Sequence, residues 1–90
     1  MNSPMIDIIT RKAPREVLLN ILNSNEKAFP SRIAKEIDVT YSHVVKLLLA
    51  MKVGGLVHFD KNGRKKFVGL TPHGKEVATL MSQTKTLLND

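Results

Sequence analysis

The 90-residue chain has no cysteine and no tryptophan, one tyrosine and three phenylalanines, and 8 acidic side chains against 14 Lys and Arg. The lack of thiols excludes disulfide staples and thiolate metal centres. A chain this short is one domain with a modest core. Such domains need a supplement, and without disulfides the one expected is association into a homodimer. No stretch approaches the roughly 18 consecutive apolar residues of a membrane span, and no apolar run follows a basic start as in a signal peptide. The expectation is a cytoplasmic protein with no membrane partner. The shortage of acid leaves a net charge of +6 and a pI near 9.9, a balance that favours polyanionic partners.

The excess charge is unevenly placed. Residues 54–70 carry four basic side chains and one acidic one, whereas residues 71–90 carry two of each. An apolar stretch at the start, MIDII, reads either as a short helix capped by Ser3 with Pro4 at its first position or as a strand through Ile6 and Ile8. Residues 1–13 are therefore set apart as an N-terminal segment and a candidate dimer contact. Pro14 opens a helix to about Asn23, in which Val17, Leu18, Ile21 and Leu22 share one face. A second helix follows Pro30, with Ile33, Ala34 and Ile37 inward and Arg32, Lys35 and Glu36 outward. Its cap is either Phe29, just ahead of Pro30, or Ser31 if the helix starts later.

Asp38, Val39 and Thr40 form a tight turn, and Thr40 is placed to cap a helix over residues 41–53. With Val44 as the core direction, Leu48 and Met51 lie beside it, and Ser42, Lys46 and Leu49 fall opposite. From Leu47 onward this helix is apolar nearly all round, so its C-terminal half is expected to be covered by other elements. Two helices joined by so short a turn form a helix-turn-helix unit, whose second helix can enter the major groove of DNA. Gly54-Gly55 then stops the helix. Two β-rich runs flank Asn62-Gly63, the strongest two-residue hairpin signal. With those two residues as the loop, Lys61 faces Arg64, Asp60 faces Lys65, His58 faces Phe67 and Val57 faces Val68. Thr71-Pro72 opens a last helix with an apolar stripe of Val77, Leu80, Met81, Leu87 and Leu88. Val77, Leu80, Thr84 and Leu87 are spaced as a short coiled-coil seam.

Catalysis finds no footing in this pattern. The three histidines, His43, His58 and His73, lie on separate elements without an H-E-x-x-H pair, and no Walker loop, G-x-S-x-G or G-x-G-x-x-G occurs. No enzyme activity, cofactor or metal is expected.

The ordered set PSRIAKEIDVTYSHVVKLLLAM, Gly55-Leu56-Val57, Asn62-Gly63-Arg64 and LTPHGKE resembles the winged helix-turn-helix DNA-binding domains of MarR-like and ArsR-like transcriptional regulators of archaea and bacteria. The likeness covers roughly Pro14 to Met81. It implies a mainly α fold with a small β-hairpin, in which a three-helix core and its wing (residues 14–71) are followed by a C-terminal helix (72–90) available for dimerisation. It also implies a homodimeric, sequence-specific binder of double-stranded DNA that regulates transcription, with recognition helix 41–53 in the major groove and wing 57–68 along the adjacent minor groove or backbone. Two features depart from the family: Asp38 stands where many relatives carry Gly, and the longer helices that frame an effector pocket are lacking, so no small-molecule effector is expected. Ser42, His43 and Lys46, with Tyr41 at the entrance, are the residues placed against DNA. Lysine donates to guanine O6 or N7, and a tyrosine hydroxyl reaches phosphate. An ordinary solvated helix start is the alternative for each. Lys61, Arg64, Lys65 and Lys66 at the hairpin tip, with Arg32 and Lys35 on the second helix and Arg11, Lys12 and Arg15 beside it, are candidate phosphate contacts, although basic hairpin tips also serve to blunt sheet edges. Val45 is either core or a thymine-methyl contact. A protein-interaction module in a larger assembly and a sequence-independent architectural DNA binder are the competing readings.

Overall fold

The computed structural model describes residues 12–24 and 27–89, with side chains up to residue 83. The N-terminal element expected near Ser3, the proposed role of Arg11, and the seam side chains Thr84 and Leu87 lie outside the described residues. The elements run α1 (Lys12–Leu22), α2 (Pro30–Ile37), α3 (Tyr41–Val53), β1 (Val57–Asn62), β2 (Lys65–Leu70) and α4 (Pro72–Asn89). This is the mainly α architecture with one hairpin that the sequence implies.

Helix α1 starts two residues before Pro14. Pro14 sits within the first turn, where the amide it lacks would have no helical partner. Its inward residues Val17, Leu18 and Ile21 pack α1 against α2 and α4. Phe29 proves to be the cap position of α2, with extended backbone and no side-chain cap, ahead of Pro30. At the other end Asp38 takes a left-handed conformation (φ 59°), so that its N–H and that of Val39 both donate to the Ala34 carbonyl. This reversal sends the chain directly into α3. Val44, Leu48 and Met51 of α3 meet Leu18 and Ile33 in the core, which Leu56, Val57, Val68 and Ala78 complete. Each fully buried large side chain there contributes about 1.5–3 kcal/mol.

The hairpin is where the sequence reading needs correction. The pairs are Val57↔Leu70, His58↔Gly69, Phe59↔Val68, Asp60↔Phe67, Lys61↔Lys66 and Asn62↔Lys65, so the loop is Gly63-Arg64 rather than Asn62-Gly63. Gly63 alone of the turn residues has positive φ (65°), as a type II′ turn with glycine first requires. The physical reason lies along the inner face. The expected register sets Phe59 against Lys66, whereas the observed one sets it against Val68 and brings Leu70 opposite Val57. Beyond the hairpin, the Val68 amide donates to the Ala28 carbonyl at 2.8 Å. That single bridge places β2 between β1 and the segment leading into α2.

Thr71 fastens the hairpin at its root. Its hydroxyl donates to the Gly55 carbonyl and accepts from the Gly74 amide at 3.0 Å, and its own amide donates to the Leu56 carbonyl at 3.0 Å. One residue thus caps α4 and ties it to the chain just before β1. Gly74, Ala78 and Met81 form the buried face of α4, and Val77 is half-buried. Leu80, expected in the apolar stripe, is instead 59% exposed, because the side of α4 that meets α1 is centred on Ala78.

Candidate nucleic-acid interface

The entrance to α3 is built by its cap. The Thr40 hydroxyl accepts from the His43 amide at 3.2 Å and the Thr40 carbonyl from Val44 at 3.1 Å. The first bond satisfies one of the free amides of the first turn, and the second is the first bond of the helix itself. With Val44, Leu48 and Met51 anchored inward, the helical period turns Ser42 and Lys46 outward. Tyr41, Ser42, His43 and Lys46 are all exposed and together occupy the N-terminal end of α3. Val45 is half-buried at the edge of that surface.

The second half of α3 does not follow the expectation of full coverage. Leu49 is 50% and Val53 90% exposed, and Ala50 is exposed too. β1 contacts α3, and among the described residues no element covers the outer face of that helix. Ser42, Lys46, Leu49 and Val53 therefore form one continuous outward stripe, polar at the start of the helix and apolar at its end.

The hairpin tip is a second exposed surface. All side chains from Asp60 to Lys66 are exposed, so Lys61, Arg64, Lys65 and Lys66 meet solvent around a single carboxylate. Asp60 is itself 3.4 Å from the His58 ring. Lys61 and Lys66 are direct cross-strand partners, an opposition of like charges that raises the energy of the isolated hairpin. The tip is thus a concentrated cationic surface with little internal neutralisation.

The structure separates the two α2 candidates. Arg32 Nε lies 3.6 Å from Glu36 Oε1, one turn away, and that same oxygen accepts from the Asn20 side chain at 3.2 Å. Lys35 projects into solvent. A residue that sequence reasoning passed over joins the set: Lys52, in the last turn of α3, has its ammonium 5.3 Å from the centre of the Phe59 ring, and Lys66 approaches the same ring at 4.3 Å. On the other face of the hairpin, Phe67 meets Phe29 edge-to-face at 6.4 Å and Lys27 at 5.2 Å. The folded arrangement of α3, the hairpin and the segment before α2 brings these groups together, so their spacing in the chain carries no signal of it. Among the described residues no three His, Asp or Glu side chains gather where they could hold a metal ion, and no helix is long and apolar enough to cross a membrane.

Residues 12–74 match the family model of the winged helix DNA-binding domain. No curated protein sequence matches the chain. Among solved structures, AF1382 from Archaeoglobus fulgidus is similar at a TM-score of 0.86 and 18% identity, over 96% of this chain and 98% of that one. HlyU from Vibrio cholerae gives 0.76 at 15% identity, over 97% and 90%. A MarR-family transcriptional regulator from Rhodococcus gives 0.75 at 18% identity over 89% of this chain, which spans 58% of that regulator's length. At these identities the shared property is the fold.

Proposed function

Because the chain belongs to the winged helix DNA-binding domain family, we propose that it is a sequence-specific, double-stranded DNA-binding regulator of transcription, acting as a homodimer. In this reading α3 enters the major groove, with Ser42, His43 and Lys46 at base edges and Tyr41 at a phosphate. The hairpin, acting as the wing, follows the neighbouring minor groove or its backbone with Lys61, Arg64, Lys65 and Lys66, and Arg32 and Lys35 contact further backbone phosphates. The C-terminal helix and the N-terminal segment serve the dimer, and the two reading helices lie about one DNA turn, roughly 34 Å, apart. Regulation then follows from occupying promoter DNA in the cytoplasm, with no chemical step, no cofactor and no small-molecule effector.

The observation that carries this reading is that the Ser42–Lys46 surface and a hairpin tip holding four cations and one acid are both exposed to solvent. Neutralising several phosphates with such groups releases counterions, so affinity falls steeply with salt. Leu49 and Val53 extend the reading stripe, where apolar side chains contact thymine methyl groups.

Fluorescence anisotropy with a labelled mixed-sequence duplex, titrated across salt concentrations, tests the proposal. A steep, linear fall of log affinity with log salt is expected, together with a loss of binding in the Lys46→Ala, Arg64→Ala double variant at unchanged dimer content. A flat salt response counts against it. A second reading, a winged-helix protein-interaction module, is favoured by the 90% exposure of Val53. It gains if the double variant binds duplex as the parent does, and if Val53→Asp abolishes a protein partnership instead.

A further inference from the structure

One aromatic ring in this molecule collects two cations from different elements. Phe59 is the inward, half-buried residue of β1. Lys52 reaches its ring from the last turn of α3 and Lys66 from the facing strand, the two ammonium groups lying 5.3 Å and 4.3 Å from the ring centre. Both lysines are exposed. Among the described residues no carboxylate pairs with either, since Asp60 is turned to His58 and Glu36 to Arg32. We propose that Lys52 and Lys66, gathered by Phe59, jointly hold a single backbone phosphate of bound DNA.

The inference rests on the DNA-binding reading above and adds a site to it. If α3 occupies a major groove and the hairpin the adjacent minor groove, one phosphodiester strand must pass between them. The joint between α3 and the hairpin is where that strand would cross the protein, and both ammonium groups lie against the one ring there. Attraction of each cation to the ring face holds the flexible lysine stems in place before DNA arrives. This lowers the rotamer entropy lost on binding. Two like charges held against one ring gain from an anion that both can reach, since it offsets whatever repulsion they feel. Phosphate, with several acceptor oxygens and one negative charge, suits two ammonium donors that reach the ring from different elements.

Sharing one phosphate makes a specific demand on variants. Lys52→Ala and Lys66→Ala singly leave one lysine on the phosphate, so each changes the slope of log affinity against log salt only slightly. The double variant removes the contact and lowers that slope by about 0.9. Over a four-fold rise in salt its affinity therefore falls about three- to four-fold less than that of the parent. Phe59→Leu keeps an apolar residue against Val68 but removes the ring, so affinity drops about three-fold with the slope unchanged, because the number of charges is the same. The experiment is the same anisotropy titration with a labelled mixed-sequence duplex, with melting temperatures measured on every variant.

The proposal is overturned if the double variant keeps the parental slope, which marks both lysines as solvated ring contacts. It is equally overturned if the slope losses of the single variants are each near 0.9 and add, which marks two independent phosphates. Either result leaves the DNA-binding reading standing as long as the Lys46→Ala, Arg64→Ala variant loses affinity. If the parent protein shows no salt-dependent binding to the duplex, the broader reading fails and takes this one with it.

Discussion

One methyl group added at Gly74 tests how tightly α4 is seated on the root of the hairpin. In an open helix, exchanging glycine for alanine stabilises by about 1 kcal/mol. At Gly74 the new Cβ would fall well inside contact distance of the Leu56 carbonyl oxygen, and within 2.7 Å of its carbonyl carbon and 3.1 Å of its Cα. These are backbone atoms of a residue whose side chain is fully buried and whose carbonyl accepts from Thr71, so they cannot swing aside. Overpacking of this kind costs about 1–3 kcal/mol, and forcing the two segments apart weakens the Thr71–Leu56 hydrogen bond for about another 1 kcal/mol. The net effect of Gly74→Ala is a loss of about 1–3 kcal/mol. In a domain of this size that lowers the melting temperature by about 5–20 °C. Gly69→Ala is the internal control. Its Cβ would lie 2.6 Å from His58 Nε2, but that atom is the far end of a ring about half exposed, which can rotate into solvent, so its change stays within about 0.5 kcal/mol. Thermal unfolding followed by circular dichroism decides the matter. A Gly74→Ala protein that melts at or above the parent temperature refutes the packing argument.

Two further outcomes follow from strain already visible in the backbone and the hairpin. Asp38→Gly relieves a left-handed residue at φ 59° and stabilises the domain by about 0.5–1 kcal/mol after glycine's extra chain entropy is subtracted, measured as a higher denaturant midpoint; an unchanged or lower midpoint contradicts it. Lys61→Glu turns the Lys61↔Lys66 opposition into an attractive pair and stabilises by about 0.2–1 kcal/mol. The same change weakens duplex binding, so a variant that is both more stable and as tight a binder as the parent disproves the phosphate role of Lys61.

The parts of the fold legible in the sequence are those decided within one element. The core direction of α3 through Val44, Leu48 and Met51 follows from the helical period alone, and so does the cap at Thr40, whose hydroxyl needs only the amide of His43 three residues on. The presence of a hairpin was likewise written in Asn62-Gly63. Its register was not, because a two-residue loop can place that glycine first or second, and the choice fell to the pairing of Phe59 with Val68. The same limit explains Leu49, Val53 and Leu80. Their apolar character is plain in the chain, but whether another element passes over them is a property of the assembled domain. Of the candidate interface, the exposed start of α3 and the basic hairpin tip were readable from charge and period. Lys52 was not, since what distinguishes it is a ring seven residues later that reaches it only after the chain has turned at Gly54 and Gly55.

The Thr71 staple gives the molecule a kind of interchangeability. Everything between Gly55 and Thr71 departs from and returns to one fastened point, so the tip can be lengthened or rewritten while α3 and α4 keep their seats. Doubling such a loop costs only about 0.6 kcal/mol in closure entropy. The reach and charge of the hairpin can therefore be retuned as a cassette, separately from the helix beside it.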